Sequence, residues 1–389
     1  MNIFLNLHAL FLAVFFSFLL FGPLTALLNF FTVKRFDQYP PSKIYPMVSV
    51  LVPARNEALN IAACITSLLE QDYPDFEVIV LNDNSTDETP GILARLSKSH
   101  PRLQVLHGSP LPEDWHGKNW ACRQLDQAAT GELILFTDAD TRHTPDMLRA
   151  SVSALLAEGA DLVTAFPREE VVTWGERLMI PIIGWGIFTF IPIRLAQRVR
   201  WPVFSITIGQ FMLFRRAAYD LAGGYSAVKT SVVDDIFLGR HIIASGGEWR
   251  LLNGTRHVSC RMYRGFGEAV GGLCRSLFAV FDYRILPYLF GCLMVGLVSI
   301  VPLLVLILPR LRYMLQPLPV QYVALSETLT ILSWLLAYRR FQFPIYLALW
   351  LPVCVPLFIA VAVRSFLQTA VGRENWKGRL LERTGMHWL

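Results

Sequence analysis

The chain has 389 residues and a formal net charge of +5, and 53% of its residues are hydrophobic while only 17% are charged. This composition is too apolar for an ordinary soluble protein. No run of basic residues resembles a nucleic-acid patch, so the excess positive charge argues for contact with anionic lipid and against a nucleic-acid partner. The composition therefore predicts a protein of the lipid bilayer.

The first segment long enough to cross a membrane lies near the N-terminus. Residues 8–31 carry almost no charge, contain no small-residue cleavage site and are followed by Lys34 and Arg35. These features predict a transmembrane anchor over residues 1–33, not a removed signal peptide. Basic residues beside a membrane segment tend to stay in the cytoplasm, so the polar block that follows is expected there, on a cell inner membrane.

The polar block, residues 34–283, has a suitable size for one α/β domain. Its strands alternate with helices, which is typical of a mostly parallel sheet with right-handed crossovers. Ligands of such sheets bind outside the carboxyl ends of the strands, where the polar residues that follow each strand gather. The predicted elements are a strand at 47–53, a helix at 60–70, a strand at 76–81, a helix at 85–99, and strands at 103–106 and 133–136.

Two aspartates, Asp138 and Asp140, follow the last of these strands directly. Hard divalent cations prefer carboxylate oxygens and often bridge the protein to phosphates. The pair therefore indicates a metal site for a nucleotide diphosphate. Taken alone the motif leaves a second interpretation open, because short acidic pairs after a strand also cap the next helix.

The segment 178–196 is apolar but contains the helix breakers Pro181, Gly184, Gly186 and Pro192. A straight membrane-spanning helix should not contain so many. We expect an interfacial segment with Trp185 at the level of the lipid headgroups. A buried core loop is the alternative.

Three further apolar segments occupy about residues 285–308, 320–336 and 343–363. They predict a membrane region over residues 284–365, followed by a basic tail over 366–389. The basic residues of the tail favour the cytoplasm, whereas three full crossings after a cytoplasmic block would place the tail outside. The number of crossings and the side of the tail therefore stay open.

Seven short motifs follow one another along the chain, at 48–57, 82–87, 117–121, 137–140, 209–214, 233–239 and 261–264. Together they resemble the ordered motifs of family 2 glycosyltransferases with the GT-A fold. The resemblance implies a Rossmann-like, mostly parallel α/β sheet in the cytoplasm, with N-terminal and C-terminal transmembrane helices. The membrane arrangement and the tail sequence Trp376-Lys-Gly-Arg are similar to the subgroup that glycosylates carotenoids, hopanoids or other membrane lipids.

On the nucleotide side, the resemblance implies that Pro53, Arg55, Glu57 and Asp83 hold the donor, with Asp83 hydrogen-bonding the uracil edge. Asn82 stands where the family frequently has the first of two aspartates, which weakens any role for position 82. From the residues alone, the stretch 82–87 also reads as a turn and helix cap.

On the diphosphate side, the resemblance implies that Lys118 reaches the diphosphate and that Asp140 ligates Mn²⁺ or Mg²⁺, with Asp138 shared between ribose and metal. Arg261 and Arg264 match a motif whose arginines bind the diphosphate, although Gly265 stands where the family has Trp. The missing Trp argues for a single transfer over a processive one. For Lys118 the alternative is an ordinary surface lysine.

On the acceptor side, the resemblance assigns Gln210 to the acceptor loop and the catalytic base to Asp235. Direct displacement needs the acceptor hydroxyl to lose its proton opposite the leaving group, which inverts the anomeric centre. Two alternatives stay open: Asp234 and Asp235 as helix caps favoured by the helix dipole, and Gln210 as a polar residue on the rim of a buried strand.

Together these observations predict a metal-dependent, inverting glycosyltransferase that moves one sugar from a UDP-sugar, with UDP-glucose the first choice, to a membrane lipid. One alternative is a catalytically silent membrane protein that uses the GT-A domain as a binding module, since fold alone does not establish activity. A processive polysaccharide synthase is a further alternative. The residues leave open which sugar and which lipid are used, and the oligomeric state.

Overall fold

The computed structural model describes residues 17, 20–308, 310, 320–372, 375–376, 379–380 and 385–389. They form two compact units. We call Val33–Glu170 with Ile193–Met262 the α/β unit, and the described parts of Met1–Thr32, Val171–Pro192 and Tyr263–Leu389 the helical unit. The domain boundaries at residues 34, 284 and 366 stay a prediction.

Strands and helices are numbered here in chain order. The strands are β1 (Val48–Ala54), β2 (Phe76–Asn82), β3 (Leu103–His107), β4 (Leu133–Phe136), β5 (Thr141–His143), β6 (Leu162–Phe166), β7 (Arg168–Glu169), β8 (Met212–Arg215), β9 (Trp249–Asn253), β10 (Val258–Cys260), β11 (Asn375–Trp376) and β12 (Arg379–Leu380). The helices are α1 (Leu20–Thr32), α2 (Ile61–Leu69), α3 (Thr89–Ser99), α4 (Gly117–Ala128), α5 (Met147–Glu158), α6 (Trp174–Met179), α7 (Pro181–Phe190), α8 (Ile193–Val199), α9 (Arg216–Leu221), α10 (Asp234–Ala244), α11 (Phe266–Ser276), α12 (Ile285–Ser299), α13 (Val301–Ile307), α14 (Val320–Phe341) and α15 (Leu351–Val371).

The α/β unit is built on a seven-stranded sheet in the order β3-β2-β1-β4-β8-β6-β9. Neighbouring strands are parallel except that β8 runs antiparallel to both β4 and β6. β1 and β4 are near-continuous apolar runs and almost wholly buried, as expected for strands covered on both faces. The predicted mostly parallel α/β fold, and the strands and helices predicted up to β4, are confirmed.

The antiparallel strand β8 brings a distant segment to the end of β4. Phe136, the last residue of β4, pairs with Met212, the first residue of β8. Because the two strands run in opposite directions, the residues after β4 and those before β8 meet at one rim. This pairing explains why the hydroxyl of Thr137 donates to the backbone oxygen of Gln210 at 2.7 Å.

A small three-stranded sheet in the order β5-β10-β7 lies in the same unit. Cys260 of β10 pairs with Thr141 on one side and with Glu169 on the other. The residues just before β5, including Asp140, and the end of β7 are thereby held on either side of one short strand. The sheet places two acidic segments close together.

The helical unit contains three helices that are long and apolar enough to cross a membrane, Ile285–Ile307, Val320–Phe341 and Ile345–Val371. A fourth span arises only if Trp174–Phe190 and Ile193–Val199 are counted as one broken span. α1 is shorter, and the rest of the predicted anchor, residues 1–16 and 18–19, lies outside the described residues. The first six residues of the predicted tail, 366–371, continue α15. Residues 373–374, 377–378 and 381–384 of the tail also lie outside the described residues.

The segment 178–196 differs from the sequence-based prediction. It is helical and contributes to α6, α7 and α8, so a loop is wrong for it. Trp185 is 1% exposed and stacks on Trp334 of α14 with ring centroids 4.4 Å apart, so its predicted place at the headgroup level is also wrong. The indole finds a buried partner in the same unit, because its Nε1 donates to Ser333 Oγ at 3.0 Å.

Candidate active site

The loops after β1 and β2 form one side of the rim, and Arg55 and Asp83 meet there. The Nη1 atom of Arg55 donates to the backbone oxygen of Asp83 at 2.8 Å and lies 3.7 Å from its Oδ2. The N–H of Asp83 donates to the oxygen of Ala54 at 2.8 Å, and Asp83 is buried. Pro53, in β1, pairs with Leu81 of β2. The pair is therefore a rigid polar feature at the carboxyl end of the sheet.

The same two loops are tied to each other by hydrogen bonds. The N–H of Glu57 donates to Thr89 Oγ1 at 2.9 Å, and Asn56 takes a left-handed φ of 53°. Asp87 accepts from the N–H groups of Thr89 and Ala58, each at 3.0 Å. The cap interpretation of 82–87 therefore holds for Asp87, and it leaves the nucleotide role predicted for Asp83 open.

Lys118, near the start of α4, joins two acidic residues of the rim. Its Nζ lies 3.1 Å from Asp138 Oδ1 and 3.8 Å from Asp234 Oδ2. Burial alone would lower the pKa of this amine, but the two carboxylates outweigh it and hold the pKa well above its ordinary value. The ammonium is thus a fixed positive charge at the rim and not an ordinary surface lysine.

Asp235 is held by two backbone groups at the start of α10. Its Oδ2 accepts from the N–H of Gly209 at 2.9 Å and its Oδ1 from the N–H of Ile236 at 2.8 Å. Burial and the neighbouring Asp234 raise the pKa of Asp235, while Lys118 opposes the shift. A carboxylate with a raised pKa, fixed in orientation, has the properties of a general base.

Asp234 has a different environment from its neighbour. It is 5% exposed, and its Oδ2 accepts from the Tyr225 hydroxyl at 3.0 Å. Neither aspartate is the N-cap residue of α10, which is Val233, although Asp235 accepts from the first-turn N–H of Ile236. The two residues are therefore distinct: Asp234 is anchored in the interior, and Asp235 faces the loop of Gly209.

The ends of β4 and β5 hold the predicted metal ligands. The Oδ1 atom of Asp140 is buried and has no hydrogen-bond partner among the described residues. Burial, Asp138 and Glu57 raise the pKa of Asp140. A buried carboxylate oxygen without a partner, beside other acidic groups, fits a hard divalent cation. No group of three or more candidate ligand side chains occurs in the described part of the chain, so phosphate and water oxygens would complete the shell.

Glu169, which the sequence analysis missed, lies at the same rim. Its Oε1 accepts from the amide of Gln210 at 3.4 Å. Burial and the charge of Asp140 raise the pKa of Glu169 to about 8. A sequence pattern could have identified Glu169, because the acidic pair at 169–170 follows the apolar run of β6 just as Asp138 follows β4.

The two predicted arginines do not belong to the same unit. Arg261 follows β10 at the end of the α/β unit, whereas Arg264 belongs to the helical unit. There the N–H of Arg264 donates to Glu268 Oε2 at 2.8 Å. Gly265 has a φ of 113°, which L-amino acids rarely adopt. A Trp at this position would strain the backbone, so its absence fits the local geometry.

Three comparisons place the chain among known proteins. Residues 49–221 match the family model described as glycosyl transferase family 2. A beta-monoglucosyldiacylglycerol synthase of Nostoc sp. is 32% identical over 200 residues, which are 50% of this chain and 40% of that relative. The chain thus spans less than half of its length. A 4,4'-diaponeurosporenoate glycosyltransferase of Staphylococcus aureus is 26% identical over 349 residues, covering 85% of this chain and 87% of that one.

A solved mannosyltransferase of Pyrobaculum calidifontis, in complex with GDP-Man and Mn²⁺, superposes with a TM-score of 0.56 at 21% identity. The match covers 93% of this chain and 97% of that chain. At this identity the likeness concerns the fold, and the predicted GT-A fold is confirmed. The match to glycosyl transferase family 2 is carried by residues 49–221, which are less than half of the chain.

Proposed function

We propose that the chain is an inverting glycosyltransferase that moves one sugar from a UDP-sugar, with UDP-glucose the first choice, to a hydroxyl of a membrane lipid. The acceptor is a membrane lipid such as a carotenoid, a hopanoid or another polyisoprenoid. Two relatives support a lipid acceptor by their names, a monoglucosyldiacylglycerol synthase and a diaponeurosporenoate glycosyltransferase. The three candidate spans of the helical unit support a membrane setting.

The arrangement of Asp235 carries this proposal. Both of its oxygens accept a backbone N–H, which fixes the direction of the remaining lone pairs. In the proposed reaction Asp235 takes the proton of the acceptor hydroxyl while the hydroxyl oxygen attacks the anomeric carbon from the face opposite the diphosphate. Gln210 lies next to Gly209 in sequence and would help to position the acceptor.

The donor side uses the loops after β1 and β2. Asp83 would accept from the uracil edge, with Arg55 fixing it through the 2.8 Å bond to its backbone oxygen and with Pro53 and Glu57 beside it. Lys118 would meet the diphosphate as a point charge. Arg261, at the end of the α/β unit, would add donors for the same group.

Asp138 and Asp140 would hold Mn²⁺ or Mg²⁺, and the partnerless Oδ1 of Asp140 supports this assignment. A bound divalent cation neutralises charge on a leaving diphosphate. The mannosyltransferase of similar fold was solved with Mn²⁺. Lys118, already 3.1 Å from Asp138, would stabilise the same leaving group from the protein side.

We place the α/β unit in the cytoplasm beside a cell inner membrane, where nucleotide sugars are available, because the basic residues Lys34 and Arg35 lie at its start. The helical unit then supplies a multi-pass membrane region.

The deciding experiment combines two assays of the purified full chain. Transfer of labelled glucose from UDP-glucose to a lipid extract, read by mass spectrometry, should yield lipids with one added hexose. Calorimetry of UDP with and without Mn²⁺ should give binding that depends on the metal. Metal-dependent binding without transfer from any UDP-sugar would favour the silent binding module, and a ladder of longer products would favour a processive synthase.

A further inference from the structure

Helix α14 of the helical unit has a row of polar residues on its buried face. Glu327, Thr330, Trp334 and Tyr338 follow each other at spacings of three or four residues, so they share one side of the helix. They are only 8%, 1%, 0% and 0% exposed, in that order. The row extends over twelve residues, about 16 Å along the helix axis. The polar side of this candidate membrane span therefore points into the unit.

Each residue of the row has a polar atom without a hydrogen-bond partner among the described residues. The two serines on the same face differ, because their hydroxyls bond to their own helix: Ser326 donates to Val323 O at 2.8 Å and Ser333 to Thr330 O at 2.7 Å. On this face of α14 the missing partners therefore belong to the row and not to the two serines. The atoms concerned are Glu327 Oε2, Thr330 Oγ1, Trp334 Nε1 and Tyr338 Oη.

Buried polar groups without partners cost free energy, and hydrocarbon offers no water to satisfy them. An ionisable residue inside a membrane span therefore marks a functional site by default. Four buried polar groups without partners in one row indicate that a group outside the described residues supplies hydrogen bonds along this face.

The chemistry of the row limits what it binds. Glu327 accepts hydrogen bonds, Trp334 donates them, and Thr330 and Tyr338 do both. The row carries no cation, so an anionic phosphate headgroup would meet the Glu327 carboxylate without compensation. A plain hydrocarbon would leave all four groups unpaired. A lipid with a free hydroxyl and with carbonyl or ether oxygens offers both a donor for Glu327 and acceptors for Trp334 and Tyr338.

We propose that this row binds the polar end of a neutral lipid that bears a free hydroxyl, with the hydroxyl donating to Glu327. The choice of a hydroxyl-bearing lipid rests on the proposed function, in which a membrane lipid is the sugar acceptor. Binding itself requires no sugar transfer, so it is measured separately.

The test uses the full chain in phosphatidylcholine nanodiscs and the hydrophobic reagent dicyclohexylcarbodiimide, which modifies membrane-embedded carboxyl groups. Modification of Glu327 is quantified by mass spectrometry of its peptide, and Glu327→Gln identifies the modified position. The probe is 1,2-dioleoylglycerol, and its 3-acetyl derivative, which lacks the hydroxyl, is the chemical control. At a probe concentration about twice its Kd, mass action predicts that modification falls about threefold. The acetyl derivative should leave it unchanged.

Two substitutions on the same helix form a matched pair. Thr330→Val removes a hydroxyl of the row and should reduce protection by dioleoylglycerol. Thr328→Val removes an exposed hydroxyl that bonds to Ala324 O at 2.8 Å and should leave protection unchanged.

Three results would overturn the proposal: no modification of Glu327 in nanodiscs without dioleoylglycerol, equal modification with and without dioleoylglycerol, or equal protection by the acetyl derivative. If sugar transfer persists in the same samples while dioleoylglycerol gives no protection, only this site is lost and the proposed function stands. If dioleoylglycerol protects Glu327 but no sugar transfer occurs, this site stands and the proposed function is lost.

Discussion

The ammonium of Lys118 lies 3.1 Å from Asp138 Oδ1. The same ammonium is 3.8 Å from Asp234 Oδ2, next in sequence to the proposed base. One cation therefore joins the acidic residue at the end of β4 to the acidic pair at the start of α10. Substitution of Lys118 should therefore change both the affinity for the donor and the pKa of the proposed base, Asp235.

The first prediction concerns Lys118→Met. Lys118 lowers the pKa of Asp235 against burial and Asp234, so its loss should raise that pKa further. The base works only when ionised, so activity falls as the pH drops through this pKa. The acid limb of kcat/KM should therefore move to higher pH by about one unit. UDP affinity should fall about tenfold or more, because a charge-assisted contact is lost.

Lys118→Arg is the control, since it keeps the positive charge. Its acid limb should stay near that of the unmodified protein, even if its geometry lowers the rate. An acid limb that does not move in Lys118→Met would contradict the electrostatic link between Lys118 and Asp235.

The second prediction concerns Asp140→Ala. The carboxylate has a buried oxygen without a partner, so its removal should not lower the melting temperature. We expect the Mn²⁺-dependent part of UDP binding to disappear in calorimetry. Asp87→Ala is a useful comparison, because that carboxylate accepts two backbone N–H groups at 3.0 Å and its loss should cost about 1 kcal/mol of stability. Unchanged Mn²⁺ dependence in Asp140→Ala would remove the metal assignment.

The part of the fold up to β4 could be predicted because each strand and helix there is a local pattern of apolar residues. The later part depends on pairing between distant segments. β8 has four residues, and nothing in them shows that they insert antiparallel between β4 and β6. Trp185 was misplaced for the same reason, since its partner Trp334 is 149 residues away in the chain.

The candidate site could likewise be predicted only in part. The motifs identified Asp138, Lys118 and Asp235 as site residues, whereas the contacts of Lys118 with Asp138 and Asp234 depend on the fold. The role of Glu169 depends on the small sheet, which pairs it with Cys260 and brings its carboxylate to Gln210. Local sequence patterns do not show that residues 140, 169, 210 and 260 lie near one another in the fold. The acidic pair at 169–170, however, could have been identified from the sequence as a polar group at the end of a strand.

The third prediction concerns topology. If the α/β unit is cytoplasmic, a cysteine introduced as Arg95→Cys on the exposed side of α3 should not react with an impermeant maleimide in intact cells. It should react after permeabilisation. A cysteine at position 376 tests the tail in the same cells, and we expect protection there as well. Modification of Arg95→Cys from outside would rule out a cytoplasmic donor.

The last prediction separates chemistry from binding. Asp235→Asn keeps the size and the hydrogen-bonding shape but removes the base. Transfer to a hydroxyl should therefore fall by about two to four orders of magnitude while UDP affinity changes little. Asp234→Asn should do less, because Asp234 is buried and bonded to Tyr225 at 3.0 Å. The measurement is single-turnover transfer together with calorimetry of UDP.

If Asp235→Asn retains transfer activity, the pH dependence of this variant and of the unmodified protein identifies the reason. The unmodified protein should lose activity as the pH falls, with a limb above the ordinary carboxyl range because the pKa of Asp235 is raised, and Asp235→Asn should lose this limb. An acceptor that is already an anion would leave both proteins active and nearly flat above the pKa of the acceptor. A limb of the same position and slope in both proteins would instead mean that another group is the base, and the assignment of Asp235 would have to be abandoned.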